Sequence, residues 1–274
     1  MNERFETKKS LGQHFLNSPL VPQWMCDAAE LSAGELVVEV GPGTGALTRE
    51  ILARGARVVA LEADRRAIAV LEDSFPEEVA SGQLTLHCVD MRTFDLATLA
   101  LPDGGYKVVA NIPYYLSGFL LRTFLEHAAQ PQMIVFLIQK EVAKRITSSL
   151  KRNEKESLLS LSVKCYGTPT YVRTVTRGHF TPPPKVDSAI VAVGDISRER
   201  LDGLDAQAFF HVLHLGFGKK RKQLLGNLAA EYPRPELTHI FSTLSLPLTV
   251  RAEDIDLATW RALVKKLVGI GSAV

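Results

Sequence analysis

Apolar residues in the first two thirds of the chain form short continuous runs, separated by stretches in which apolar positions recur with helical spacing. Short apolar runs are typical of buried parallel strands, and amphipathic stretches are typical of the helices that connect them. Five runs predict parallel strands, and two later runs predict an antiparallel end of the same sheet, so that the fold is α/β with a doubly wound, mostly parallel sheet. The predicted strands are Val37–Val40, Arg57–Glu62, Leu84–Cys88, Lys107–Asn111, Met133–Gln139, Leu161–Tyr166 and Ser188–Val193.

After about Gly194 the chain shows helical spacing alone, which predicts a small all-α domain. We expect an α/β catalytic domain at residues 1–194 and a helical domain at residues 195–274. The first domain begins with an irregular arm over residues 1–18, and a helix is predicted at Pro19–Glu30 because proline is favoured at the first helical position. The helices predicted in the second domain are Ala206–Leu215, Lys219–Glu231, Pro235–Leu244 and Glu253–Leu267.

Three glycines, Gly41, Gly43 and Gly45, lie between the first predicted strand and an amphipathic segment in which Leu47 and Ile51 share one helical face. Glycine allows the backbone to approach a ligand closely, and the free N–H groups of a helix N-terminus favour anionic or strongly polar ligand groups. A strand, a glycine-rich turn and a helix therefore predict a nucleotide-like cofactor at the carboxyl edge of the sheet, bound by these glycines.

Acidic residues follow the next two predicted strands. Glu62 ends the second strand, where a carboxylate can accept hydrogen bonds from both ribose hydroxyls of a cofactor. Asp90 follows the third strand and could accept from the exocyclic amine of adenine, although a turn or N-cap aspartate fits the same position. Because the glycines and Glu62 also satisfy a relaxed dinucleotide pattern, a nicotinamide oxidoreductase remains an alternative at this point.

The residues Asn111, Ile112, Pro113 and Tyr114 lie at the carboxyl end of the fourth strand, at the same edge of the predicted sheet. An adenine amino group is a poor nucleophile, because its lone pair is delocalised into the ring. The side-chain oxygen of Asn111 and the carbonyl of Ile112 could accept its two N–H bonds and direct the lone pair toward a methyl donor. Pro113 would fix the loop, and Tyr114 would stack on an extruded base. An asparagine before an x-Pro step also commonly ends a strand, so a plain turn is the competing interpretation.

Composition limits the class of protein. The chain has 274 residues, 46% of them hydrophobic, and a net charge of +2, which suits a globular protein with a sizeable core. It shows no apolar N-terminal signal and no apolar run long enough to span a membrane, so we expect a cytoplasmic protein. Cys26, Cys88 and Cys165 are predicted to be reduced core residues. His211 and His214 are predicted to be a packed helix pair, and no metal site is expected.

Two groups of basic residues predict contact with RNA. One is a run of four cations that opens a predicted helix, and the other lies after the fifth strand. Clustered cations can neutralise phosphates and release counterions, although a basic run can also be only a solvated helix face. The predicted RNA-binding residues are Lys140, Lys144, Arg145, Lys219, Lys220, Arg221 and Lys222.

Four segments in one order carry a family resemblance: Gln13–Leu16, Glu39–Gly45, Asn111–Tyr114 and Phe180–Ala189. Together they resemble the small-subunit (16S) ribosomal RNA adenine dimethyltransferase family, over roughly residues 8–270. The resemblance implies a class I methyltransferase, with a Rossmann-like sheet, that uses S-adenosyl-L-methionine. It further implies dimethylation of two adjacent adenosines near the 3′ end of small-subunit rRNA, during ribosome biogenesis. The implied partner is a pre-assembled small ribosomal subunit, with the enzyme acting as a monomer.

The resemblance also assigns site residues. The implied cofactor contacts are His14, Leu16, Gly41, Glu62, Asp90 and Asn111, and the implied target-base contacts are Asn111, Tyr114 and Phe180. The family often has asparagine at the position of His14, so a contact there could use either a ring nitrogen or the backbone.

Three alternatives stand beside this assignment. The large-subunit methyltransferases that confer macrolide resistance share the Asn-Ile-Pro-Tyr sequence, but the Phe180–Ala189 segment and the helical domain favour the small-subunit type. A nicotinamide oxidoreductase would have no use for Asn111–Tyr114. A non-catalytic RNA-binding or assembly factor could keep the fold, yet the retained Glu62, Asp90 and Asn111 argue against a loss of chemistry.

Overall fold

The computed structural model describes residues 14–219 and 221–271. Within this part the chain forms two compact units, of which the first takes residues up to 143 and 169–196. The second takes residues 144–168 and the chain from 197 onward. A segment from the middle of the chain therefore groups with the C-terminal helices, and the functional division at residue 194 stays a prediction.

A mostly parallel sheet forms the framework of the first unit. The strands are β1 (Phe15–Leu16), β2 (Leu36–Val40), β3 (Arg57–Glu62), β4 (Leu84–Cys88), β5 (Tyr106–Asn111), β6 (Met133–Gln139), β7 (Thr168–Val175), β8 (Phe180–Thr181) and β9 (Ser188–Gly194). Among the described residues, seven strands form one sheet in the order β4-β3-β2-β5-β6-β9-β7, and β1 pairs with β8 separately. Neighbours from β4 to β6 are parallel, and β9 pairs with β6 in the antiparallel sense. The predicted α/β fold with an antiparallel end is confirmed.

Helices connect the strands of the first unit and cover the sheet. They are α1 (Leu20–Ala28), α2 (Ala46–Ala53), α3 (Arg65–Ser74), α4 (Pro76–Ser81) and α5 (Ser117–Glu126), and α6 (Lys140–Ile146) runs across the boundary between the units. The apolar runs of the central strands fill the core, where Val37, Val109 and Val135 are fully buried. Because β2 to β5 are parallel, their carboxyl ends meet at one edge of the sheet.

The prediction of a strand at Leu161–Tyr166 is wrong, because most of this segment lies in a helix, α7 (Leu158–Lys164). Ser157 Oγ accepts from the backbone N–H of Ser160 (3.0 Å), and Ser160 Oγ accepts from the backbone N–H of Ser157 (2.7 Å). This capping box starts a helix. A short apolar run fits both periodicities, and here the cap decides between them.

Helices make up most of the second unit: α7, α8 (Ala206–Phe217), α9 (Leu224–Leu228), α10 (Arg234–Thr243) and α11 (Leu257–Gly271). The prediction of one helix at Lys219–Glu231 is wrong over most of its length. Asn227 Nδ2 donates to the carbonyls of Gly216 (2.6 Å) and Lys219 (3.3 Å), which holds a turn after α8 and delays the next helix to Leu224. No helix in the described ranges is long and apolar enough to cross a membrane.

Two predictions about cysteines and histidines need correction. Cys26 and Cys165 are buried, but Cys88 is exposed rather than a core residue. His211 is exposed and not packed, since its Nε2 lies 2.5 Å from the carboxylate of Glu231. Its acidic partner, Glu231, lies in the turn after α9 and is 20 positions away in the sequence, so the sequence did not indicate the pair.

Candidate active site

The glycine loop, Gly41–Gly45, joins β2 to α2 with left-handed backbone at all three glycines. At Gly45, φ is 84° and an added Cβ would lie 2.6 Å from Cε2 of Phe75, so a larger residue is excluded both by conformation and by packing. At Gly43, an added Cβ would lie 3.0 Å from the ring of Phe15. The loop is therefore built to keep its backbone close to whatever occupies the cavity beside it.

Glu62, at the end of β3, fastens this loop to the edge of the sheet. Its Oε2 accepts from the N–H of Gly43 (3.1 Å), and its Oε1 accepts from the N–H of Asp64 (2.9 Å). The residue is 7% exposed, and burial raises the pKa of its carboxyl group against the lowering effect of these backbone bonds. A carboxylate offers about four acceptor positions. Backbone N–H groups of Gly43, Ala63 and Asp64 use three of those of Glu62, so the carboxylate can still accept from a ligand.

Asp90, just after β4, has a different environment. Both carboxylate oxygens accept from the side chain of Arg92, and Oδ1 also accepts from the backbone N–H of Arg92 (2.9 Å). These hydrogen bonds lower the pKa of Asp90. The hydrogen bond from the Arg92 backbone to Oδ1 is typical of an aspartate in a turn, the alternative given above. The contact of Asp90 with an adenine ring stays a prediction.

Asn111 is the last residue of β5, at the carboxyl edge next to the glycine loop. Its Nδ2 donates to the carbonyl of His14 (3.4 Å), and no described residue donates to its Oδ1. A Cβ added at Gly41 would lie 4.0 Å from the backbone oxygen of Asn111, which shows how close the two segments run. The amide is therefore oriented with its acceptor oxygen available.

Tyr114 and Phe180, the two predicted stacking residues, differ in burial. The hydroxyl of Tyr114 forms a hydrogen bond with Ser188 Oγ (2.7 Å), and its ring stacks on the imidazole of His14 with centroids 6.2 Å apart. Burial raises the pKa of the Tyr114 phenol. Phe180 is only 3% exposed and belongs to the apolar core, although it also lines the cavity. Stacking of both rings on a base stays a prediction.

The N-terminal arm pairs with the Phe180–Ala189 segment. Leu16 pairs with Phe180, and Phe15 with Thr181, in the antiparallel β1–β8 ladder. His14 Nδ1 lies 2.9 Å from the carbonyl of Pro182. The arm and this segment, which are far apart in the sequence, therefore form one side of the site. Gln13 lies outside the described residues.

One cavity brings most of the predicted site residues together. It lies at the carboxyl edge of the sheet, bounded by the glycine loop, the ends of β3, β4 and β5, and the arm. The predicted residues that line it are His14, Leu16, Gly41, Gly43, Glu62, Asp90, Asn111, Ile112, Pro113, Tyr114 and Phe180. Gly45 does not line the cavity, and its role is the tight packing described above.

A family model for ribosomal RNA adenine dimethylases matches residues 4–268. The chain belongs to this family. The ribosomal RNA small subunit methyltransferase A of Dehalococcoides mccartyi (strain CBDB1) is 37% identical over 266 residues, covering 96% of this chain and 89% of that relative.

Two solved structures share the fold of this chain. A dimethyladenosine transferase from Plasmodium falciparum has a TM-score of 0.79 at 23% identity, covering 94% of this chain and 98% of that chain. The 23S rRNA methyltransferase ErmE has a TM-score of 0.70 at 23% identity, covering 93% and 99%. These two likenesses establish the fold, and the family resemblance seen in the sequence is confirmed.

The dimethylase cavity also contains residues that the sequence prediction omitted. Glu39 lies in the middle of β2, is 1% exposed, and accepts from the hydroxyl of Thr48 (2.7 Å). Burial raises the pKa of Glu39 to about 8. Tyr115 is 62% exposed at the opening of the cavity. An acid inside an apolar strand and a second tyrosine after Tyr114 were the available signals.

The residues predicted to bind RNA lie at the surface or half-buried. Lys140 is half-buried and Lys144 and Arg145 are exposed, all on α6. In the other group, Lys219, Arg221 and Lys222 are exposed between α8 and α9, and Lys220 lies outside the described residues. The prediction that this run opens a helix is wrong, while its contact with RNA stays a prediction.

Proposed function

We propose that this chain is an S-adenosyl-L-methionine-dependent enzyme that dimethylates N6 of two adjacent adenosines near the 3′ end of small-subunit (16S) rRNA. The observation that carries the proposal is the position of Asn111, whose side-chain acceptor is available in the cavity that the glycine loop bounds. The family and the name of the relative at 37% identity support the choice of substrate.

The cavity residues fit the proposed cofactor. Glu62 can still accept from a ribose hydroxyl, and Leu61, Val89 and Met91 provide apolar lining for a purine ring. Asp90 would share its carboxylate between the adenine amine and the exposed side chain of Arg92. S-adenosyl-L-methionine supplies a methyl group on a positively charged sulfonium, which the acidic groups of this cavity favour electrostatically.

On the substrate side, the chain's own residues orient the adenine amine. Asn111 Oδ1 and the carbonyl of Ile112 accept its N–H bonds, which directs the nitrogen lone pair toward the methyl group. Tyr114 stacks on the extruded base, and its ring orientation is already held by Ser188 and His14. Positioning and aligned dipoles supply the acceleration, and no general base with a shifted pKa is required.

The proposed substrate is 16S rRNA inside a pre-assembled small subunit. A catalytic domain at residues 1–194 and a helical domain at residues 195–274 would bind it. The exposed cations of α6 and of the segment before α9 support phosphate contact, because they are accessible and clustered. Phosphate contacts position RNA without reading its sequence, so a folded particle is a better substrate than a short hairpin. We infer a monomer that works in the cytoplasm, where such particles assemble.

Transfer of radiolabelled methyl groups to undermethylated small subunits tests the function. We expect dimethyladenosine at two adjacent positions, and little product on a naked hairpin or on large-subunit RNA. Asn111→Ala, assayed in parallel, controls for a contaminating methyltransferase. Efficient methylation of large-subunit RNA with none on small subunits would instead assign the resistance-type activity, and mass spectrometry of a co-purified nicotinamide cofactor would overturn the methyltransferase assignment.

A further inference from the structure

In the second unit, an ion pair holds a short 3₁₀ turn, Arg198–Leu201, against α11. Asp202 follows this turn in a left-handed conformation (φ 57°), and its Oδ2 accepts from Lys265 Nζ at 2.5 Å. Arg261 lies four residues before Lys265 on α11, and residues four apart share one helix face. The contact between Asp202 and Lys265 therefore brings Arg261 close to Arg200.

The side chains of Arg200 and Arg261, the arginine pair, lack hydrogen-bond partners at their Nε atoms. Both Nε atoms are shielded from solvent and donate to no acceptor in the described part of the chain. Burial lowers the pKa of Arg261, and the neighbouring charge of Arg200 lowers it further, against the opposing effects of Cys165 and Asp202. A shielded N–H group of a charged side chain without an acceptor is unfavourable, so the arrangement calls for an explanation.

In the described part of the chain, the carboxylate whose charge acts on Arg261 also binds another cation. Asp202 is the acid next to the pair, and its hydrogen bond with Lys265 lowers its pKa, so its charge is already shared with that lysine. The Cys165 thiol donates to the carbonyl of Ser162 (3.1 Å). Among the residues that the structure describes, no carboxylate forms a hydrogen bond or ion pair with either guanidinium group, and the charge of Arg200 opposes that of Arg261.

We propose that the arginine pair is a binding site for one phosphate group of the RNA backbone. A guanidinium presents Nε–H and Nη–H as a planar fork that matches two phosphate oxygens, and two such groups supply both the donors and the charge. Both arginines are only half-buried, so their long side chains can turn toward a ligand. The choice of RNA over a free phosphate ion rests on the proposed function, whereas the anion site itself does not.

Thermal melting of the full chain with inorganic phosphate tests the anion site. At matched ionic strength, phosphate should raise the Tm of the wild-type protein above its value in chloride by about 2–4 °C. The double variant R200Q/R261Q should lose this difference, and R251Q, at an exposed arginine of the same unit, should keep it. In chloride alone the double variant should melt no lower than wild type, because it removes two repelling charges.

The charge-preserving variant R200K/R261K separates fork geometry from charge. Lysine keeps the cations but lacks the planar fork, so the preference for phosphate over chloride should fall. The site is overturned if wild type shows no phosphate-specific shift, if R200Q/R261Q retains it, or if that variant melts clearly lower in chloride, which would mark the pair as structural.

Binding of undermethylated small subunits at several salt concentrations tests the RNA source. The slope of log Kd against log salt should fall by about one unit in R200Q/R261Q, with turnover at saturating subunits unchanged. If R200Q/R261Q loses the phosphate-dependent rise in Tm but keeps the wild-type slope of log Kd against log salt, the site binds free anions and not the RNA backbone. Failure of the proposed methyl transfer would appear in the nucleoside analysis and would leave the melting result standing.

Discussion

In the cavity of the first unit, backbone groups hold the polar side chains of Glu62 and Asn111. In the second unit, the Nε–H groups of the arginine pair are shielded and have no acceptor among the described residues. Glu62 accepts from Gly43 and Asp64, and Asn111 donates to His14, so the shape of the cavity is set by bonds within the protein. Arg200 and Arg261 have no such bonds at Nε within the described ranges.

The two sites depend on their ligands in different ways. A cavity whose polar side chains are already held by backbone hydrogen bonds is formed before the ligand arrives, with acceptors left for the ligand, and its residues affect stability and binding together. A cluster of unsatisfied cations is unfavourable until an anion arrives, so its removal should weaken binding without weakening the fold. The following predictions test this contrast on the side of the cavity.

The largest effect is expected from Phe180→Ala. Since Phe180 is buried in the core, its truncation should lower the free energy of unfolding by about 3–5 kcal/mol, measured by chemical denaturation. Phe180→Leu keeps most of the apolar volume and serves as the control. If the folded Leu variant transfers methyl groups normally, Phe180 is a packing residue; a slow but folded Leu variant supports stacking on the base.

Asn111→Ala should come next. Loss of the acceptor for the reacting amine should slow single-turnover methyl transfer by about 10²–10³-fold. Binding to small subunits should persist, and unfolding should change little, because only the hydrogen bond to His14 is lost within the protein. A near-normal single-turnover rate would contradict the proposed role of the amide.

Glu62→Ala should weaken binding of S-adenosyl-L-methionine by about 1–3 kcal/mol in calorimetric titration, the scale for hydrogen bonds to a charged group. Stability should fall as well, since the N–H groups of Gly43 and Asp64 lose their acceptor. Glu72→Ala, at an exposed glutamate of α3, is the matched control. Unchanged affinity in a folded variant would remove Glu62 from the cofactor site.

The smallest effect concerns pH. Because folding raises the pKa of Glu39 to about 8, the folded state holds a proton that the unfolded state releases above its ordinary pKa near 4.5. This contribution to stability is complete below the unfolded pKa and is lost as the pH rises through about 8. Glu39→Gln should therefore gain on the order of 1 kcal/mol over wild type between pH 6 and pH 8. If the free energies of unfolding of Glu39→Gln and wild type differ by the same amount at pH 6 and pH 8, the raised pKa of Glu39 is contradicted.

Sequence patterns were most reliable where the deciding interactions are local. Strands at Arg57–Glu62, Leu84–Cys88 and Met133–Gln139 have the predicted bounds, because turn residues such as Gly55, Gly82 and Pro131 precede them and mark where each strand begins. The strand predicted at Leu161–Tyr166 was wrong, because a short apolar run fits a strand and a helix equally well. The serine capping box before this segment favours the helix. The helix predicted at Lys219–Glu231 failed because Asn227 closes a turn over the basic run.

The sequence by itself determined the α/β order of elements, the glycine loop, and the residues at the carboxyl edge of the parallel strands. These features follow from periodicity and backbone conformation, which act over a few neighbouring residues. Tertiary structure alone decided that His14 meets Pro182, 168 positions away, and that the neighbouring acids Glu62 and Asp90 have pKa values shifted in opposite directions. It also placed Arg200 beside Arg261. Such outcomes depend on burial and on charges from distant segments, which packing alone brings together.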